Sequence, residues 1–87
     1  MLQTILSCPF CAQQHSADLH EHQFFDFICE EYGSIYVSKR AITELERHPD
    51  KLKAAKLNAL ECKEKGAKFK IIYQATDGGL QKICIAS

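Results

Sequence analysis

Apolar residues in this chain follow a strand-like period at both ends and a helix-like period in the middle. Leu2 to Leu6 reads as a short strand running into Cys8. Residues 12–17 are polar and read as a turn, and Leu19 to Gln23 as a strand with little apolar content. Phe24 to Cys29 carries Phe24, Phe25, Phe27 and Ile28 and predicts a well-formed strand. After a turn over Glu30–Gly33, Ile35-Tyr36-Val37 predicts another. Ser38 is a natural N-cap for a helix whose apolar face is Ala41, Ile42 and Leu45, with Lys39, Arg40, Glu44 and Arg47 outside. His48-Pro49-Asp50 breaks that helix and starts a second, with Pro49 in its first turn and Gly66 as its stop. Its stripe is Leu52, Ala55, Ala59 and Cys62, with Leu60 on the flank. Lys68 to Thr76 alternates with Phe69, Ile71 and Tyr73 on one face. Asp77-Gly78-Gly79 predicts a hairpin turn, and Leu80 to Ala86 the returning strand.

Strands, then two helices, then a hairpin predict an α+β fold in separate pieces, not a βαβ sheet. The expected plan is an N-terminal hairpin with its knuckles over 1–37, two helices over 38–66 and a C-terminal β-hairpin over 67–87. With 87 residues the chain is expected to be a single domain. A chain this small buries only about 60 to 65% of its unfolded surface, so a metal, a disulfide or a partner would reinforce it. Hydrophobic content of 46% with 25% charged residues is ordinary for a globular protein. No apolar run reaches the roughly 18 residues of a membrane span, and the N-terminus lacks the marks of a signal peptide. A cytoplasmic location without membrane association is therefore expected.

Charge is zero in total and uneven along the chain. Residues 1–38 hold no Lys or Arg and five acids, a net −5; residues 39–87 hold eleven bases against six acids, a net +5. The simplest expectation is that the halves pack partly on each other. The alternative is a basic surface for nucleic acid, built from Lys51, Lys53, Lys56, Lys68 and Lys70, with Phe69 among them. Glu61 and Glu64 interleave with the helix lysines, which favours an ordinary solvated face.

Five Cys is an odd number, so a full disulfide framework is a poor reading. Cys62 lies on a helix stripe and Cys84 in an apolar strand, and both read as small core residues. Cys8-Pro9-Phe10-Cys11 is different, because two thiols at this spacing can chelate a metal or cycle as a redox pair. Cys29 returns to the same end after a hairpin-length segment, as a third thiolate for a tetrahedral zinc site. His15 offers a fourth ligand in the order Cys-x2-Cys-x3-His-x13-Cys. His20 and His22 are alternatives for that place, and Cys62 stands behind His15.

Cys8-Pro9-Phe10-Cys11, then Cys29-x-x-Tyr32-Gly33-x-x-Tyr36-x-Ser38-x-x-Ala41-x-x-x-Leu45, resembles small bacterial and phage proteins with an N-terminal zinc ribbon. Their pattern is CPxC, a β-hairpin, CxxCG-x-Y-x-I-S and a helix. The resemblance covers roughly residues 6–47 and implies a zinc-ribbon-like hairpin followed by a helix, with Cys8, Cys11 and Cys29 as ligands. Tyr32 stands where the pattern has its fourth ligand, and the spacing after Gly33 is one residue longer. The resemblance also implies a protein partner, since many small phage proteins act by blocking a host protein. Cys-Pro-Phe-Cys is similar as well to the active-site motif of glutaredoxins, which would make the chain a thiol oxidoreductase using Cys8 and Cys11. The family's downstream Thr-Val-Pro is missing here. No GxGxxG, P-loop, nucleophile elbow or HExxH occurs. The expectation is therefore a small binding module and not an enzyme, with structural zinc. Protein is the leading partner class, nucleic acid the alternative, and homodimerisation through a hairpin edge is compatible with either.

Overall fold

The computed structural model describes residues 2–21, 23–74 and 79–86. Its strands are β1 (Leu2–Ser7), β2 (Gln14–His20), β3 (Phe24–Cys29), β4 (Gly33–Ser38), β5 (Ala67–Gln74) and β6 (Gly79–Ala86). Between β4 and β5 run helices α1 (Lys39–Arg47) and α2 (Pro49–Glu64). All six strands form one sheet, and their order across it is their order along the chain. Every neighbouring pair is antiparallel except β4 and β5, which are parallel.

That parallel pair corrects the expected architecture. The two hairpin regions are not separate pieces but parts of one continuous mixed sheet, and α1 with α2 forms the crossover that joins them. A parallel neighbour needs a crossover of a dozen or more residues. The helical segment read from the sequence supplies it, so a βαβ-like connection was present in the element order all along. α+β describes the fold in part, with β1–β4 before the helices and β5–β6 after them. Boundaries moved too. β2 begins at Gln14, inside the expected polar turn, because its pairing with β1 (Leu6 opposite His15, Thr4 opposite Ala17) supplies hydrogen bonds that polar residues accept as readily as apolar ones. The expected strand end at Thr76 and the turn residues Asp77 and Gly78 lie outside the described residues.

Pleating gives the sheet two unlike faces. Phe27, Ile35, Val37, Phe69 and Ile71 point to one side and are buried under α1 and α2. Ala41 and Leu45 of α1 and Ala55, Ala59 and Cys62 of α2 meet them. Ser38 caps α1 by accepting a hydrogen bond from the Ala41 amide. Pro49 opens α2 at a position where its missing N–H costs nothing. The other face stays open, with Asp26, Tyr36, Lys68 and Lys70 on it. The halves of the chain thus lie side by side in one sheet instead of packing face to face. One ion pair crosses between them on the open face, where Lys68 donates to Asp26 at 2.9 Å. Among the described residues, no helix is long and apolar enough to cross a membrane.

Cys62 and Cys84 are joined in a disulfide, with Cα atoms 5.5 Å apart. This corrects their reading as free core residues. Cys62 is fully buried on α2, whereas Cys84 sits on the exposed edge strand β6. An odd cysteine count rules out complete pairing but not a single bond. The register shows why this one forms: Cys84 lies opposite Phe69 and so points to the helix side, where α2 passes.

Candidate metal centre

Four side chains converge at the end of the sheet that the helices leave uncovered. Cys8 and Cys11 come from the turn after β1, His15 from β2 and Cys29 from the last position of β3. His15 and Cys29 reach the same face because β2 and β3 put Leu19 opposite Phe25, with odd-numbered residues of both strands on the helix side. The ligand atoms all lie within 4.8 Å of one another. Cys29 Sγ is 3.5 Å from Cys11 Sγ, and His15 Nε2 is 3.2 Å from Cys11 Sγ. Zinc–sulfur bonds of about 2.3 Å in a tetrahedron set sulfurs about 3.8 Å apart, so the cluster has the size of a single-ion site. Three thiols and an imidazole are also the donor types that soft-to-borderline divalent ions take. This is a group of three Cys and one His that could hold a metal ion.

The turn is built to fold back over the sheet. The Cys8 amide donates to the Gln13 carbonyl at 2.8 Å, and the Ala12 amide to the Cys8 carbonyl at 2.9 Å. Ala12 takes φ 62°, the left-handed region that costs an L-residue about 1 kcal/mol or more. Phe10 is the anchor of the turn: it is buried, with its ring 5.7 Å from Tyr32 and 6.2 Å from Phe69. Tyr32, in the place that the resemblance gives to a fourth ligand, is spent on this packing and is not one of the four converging residues. The His15 ring stacks on Phe27 at 5.8 Å, which fixes its orientation.

Electrostatics separates the thiols. Burial pushes the Cys8 thiol up to about 12, even though the amides of Cys11 and Phe10 hydrogen-bond its sulfur. Burial also raises Cys11, but hydrogen bonds from His15, the Gln13 backbone, Cys29 and Cys8 outweigh it and bring Cys11 down to about 7. Burial raises Tyr32, assisted by the charge of Glu31 and the neighbouring thiolates. The strand β2 follows Cys11, so the Cys-Pro-Phe-Cys turn does not open a helix.

The second helix braces the site from behind. Lys63 Nζ donates to the carbonyls of Glu30 and Glu31, at 2.7 and 3.1 Å, in the turn that follows Cys29. Gly33 makes room for it: its φ is +84°, and a Cβ there would meet the Lys63 side chain at 3.1 Å. Sequence reasoning missed this role for Lys63; Gly33, the glycine that closes the turn after Cys29, is the signal that could have pointed to a close approach.

The remaining candidates go elsewhere. His20 lies on the open face, 3.8 Å from Asp26 and 6.1 Å from the Tyr36 ring centre. His22 lies outside the described residues. Cys62 is committed to Cys84. The five lysines of the expected basic surface are divided: Lys51, Lys53 and Lys56 belong to α2 on one side of the sheet, and Lys68 and Lys70 stand on the open face. Lys51 is paired with Glu44 at 3.0 Å and Lys68 with Asp26. No family model, no curated protein and no solved structure matches this chain.

Proposed function

We propose that the chain is a small, non-enzymatic binding module whose N-terminal turn is fastened to the sheet by one structural zinc ion, and that its partner is a protein. The observation that carries the metal part is the meeting of Cys8, Cys11, His15 and Cys29 within 4.8 Å. Zinc suits three thiolates and an imidazole in a tetrahedron, and a full set of side-chain ligands leaves no position for substrate, as in structural sites. Cys8, Cys11, His15 and Cys29 would hold the ion; its chemistry there is to draw three chain segments, the turn after β1, β2 and β3, together. Amide hydrogen bonds to the Cys8 sulfur are the kind of support that stabilises a metal thiolate. A thiol oxidoreductase instead needs a nucleophile with a depressed pKa. Cys8, the first cysteine of its motif, moves the opposite way and Cys11 alone is lowered, so a redox use of the pair would have to start from Cys11.

Native mass spectrometry of protein purified without chelator tests the proposal. One zinc per chain is expected, lost in Cys29→Ser and weakened in His15→Ala. A folded chain that takes up no zinc, with unchanged stability in both variants, overturns it. A nucleic-acid reading draws on one feature, the Lys70 ammonium 5.6 Å over the Tyr36 ring, which itself stacks on Phe24. Binding of single strands with a steep salt dependence would favour it over a protein partner.

A further inference from the structure

Because strand order equals chain order, the acids and bases that reach the open face of the sheet stand on different strands of it. Asp18 and Asp26 stand on β2 and β3, and Lys68 and Lys70 on β5. Asp26 and Lys68 pair with each other. Asp18 and Lys70 have no ion-pair partner among the described residues, and two strands separate them, a distance of about 14 Å. At both edges the face is apolar and exposed, with Ile5 (70%) on β1 and Ile83 (42%) and Ile85 (39%) on β6; Ile28 (73%) stands between them on β3.

We infer that this open face binds a second copy of the same chain, face to face, about a two-fold axis that runs parallel to the strands. The inference narrows the protein-binding reading above to one partner and draws nothing from the metal site. Its argument is register. Gln3, Asp18, Asp26, Tyr36, Lys70 and Ile83 form one row across the face, each opposite the next on the neighbouring strand. A two-fold axis along the strands at the middle of the sheet lays β1 over β6 of the second copy, β2 over β5 and β3 over β4. Asp18 then meets Lys70 of the second copy, and Lys70 meets its Asp18. In the adjacent row, two residues along each strand, Ile5 meets Ile85 of the second copy and Lys68 meets its Ser16. Asp18 faces Lys70 and Ile5 faces Ile85, while Ile83 meets Gln3 and Ile28 meets Ser34, and no like charges oppose in these rows. An isologous contact requires such self-complementarity, and a strictly sequential sheet with opposite charge in its two halves provides it.

The size of the face sets the strength. Six strands about 4.8 Å apart and about 20 Å long cover roughly 600 Å² per copy, somewhat under the ~800 Å² per partner of a standard interface. The dimer is therefore expected to be a reversible one, weakened by salt because charge pairs contribute to it.

Sedimentation equilibrium of the metal-loaded protein over a concentration series tests this. The wild type is expected to shift reversibly from monomer to dimer. Asp18→Lys sets lysine against lysine, and Lys70→Asp sets aspartate against aspartate, so each variant is expected to weaken self-association at least tenfold. Mixed in equal amounts, the two variants recover it, because each then meets its complement; a variant that had merely misfolded would not be rescued. A wild type that stays monomeric up to about 1 mM overturns the inference. So does a dimer indifferent to both substitutions, or one abolished only by Gln81→Pro, which would place the contact at the β6 edge. Monomer that binds a different protein through this face would also overturn it, while leaving the broader protein-binding reading intact.

Discussion

The chain treats its two groups of cysteines in opposite ways. At the β1–β3 end, Cys8, Cys11 and Cys29 remain thiols and gather with His15 around a space fit for one ion. At the other end, Cys62 and Cys84 form a covalent bond between α2 and the edge strand β6. With the proposed metal bound, both devices would solve the same problem, because each would fasten a peripheral element to a core too small to hold it by burial alone. They differ in what they ask of the surroundings. Metal coordination needs deprotonated sulfur and is reversible with pH and chelator. A disulfide needs an oxidant once and then acts mainly by restricting the unfolded chain. The two stations share one structural part. α2 carries Cys62 and, at the next residue, the lysine that grips the carbonyls of the turn after Cys29.

Losing the proposed metal should be the larger of the two losses. Chelator, or Cys29→Ser, is expected to cost about 4 kcal/mol or more, since structural zinc contributes its binding energy to folding. Thermal unfolding followed by circular dichroism reads this directly. Equal stability with and without chelator would break the comparison, leaving only the disulfide as a fastener. Cys84→Ser opens a loop with a sequence separation of 22 residues and should cost about 3 kcal/mol in urea titrations. In that variant added reductant should have no further effect on stability, whereas it should destabilise the wild type.

Proton dependence separates the stations further, because only one of them titrates. In metal-free protein the Cys11 thiol lies at about 7, below its usual 9.0, so its ionisation favours the folded state above pH 9. That contribution fades as pH falls toward 7. Cys8, raised to about 12, works the other way: it favours the folded state below pH 9 and loses that contribution as pH rises toward 12. Ultraviolet thiolate absorbance should therefore show a first step near pH 7 that disappears in Cys11→Ser and survives in Cys8→Ser. The reverse assignment would mean that Cys8 is the exposed thiol. The smallest effect expected is at Ala12. Glycine accepts its positive φ without steric cost, so Ala12→Gly should stabilise the turn by about 0.5–1 kcal/mol. A destabilising result would show that the metal turn, unlike the disulfide, tolerates no added freedom in the unfolded chain.

Local signals were the legible ones. Phe24–Cys29 is a strand from end to end because its aromatic and branched side chains prefer a pleated surface. Ser38, Pro49 and Gly66 marked the helix ends for reasons confined to a few bonds each. The nearness of Cys8, Cys11 and Cys29 could be expected from one short turn and one hairpin. Gln14–Ser16 could not be read as strand, because cross-strand pairing with β1 and not its own composition puts it there. The oxidised pair was also hidden: Cys62 and Cys84 meet only after α2 has been laid over the far edge of the sheet.

What this sequence determined by itself is therefore short-ranged: strand and helix identity, the capping residues, the thiol pair in its turn and the opposite charge of the two halves. Each of these follows from the intrinsic preferences of neighbouring residues or from simple counting. The tertiary structure decided the rest: that two apparent hairpins are one sheet, that His15 and not Tyr32 joins the thiols, and that Cys62 bonds Cys84. It also decided that Asp18 and Asp26 share one open face with Lys68 and Lys70. These depend on register and on a crossover tens of residues long, and no local preference specifies which strand a helical excursion will return to.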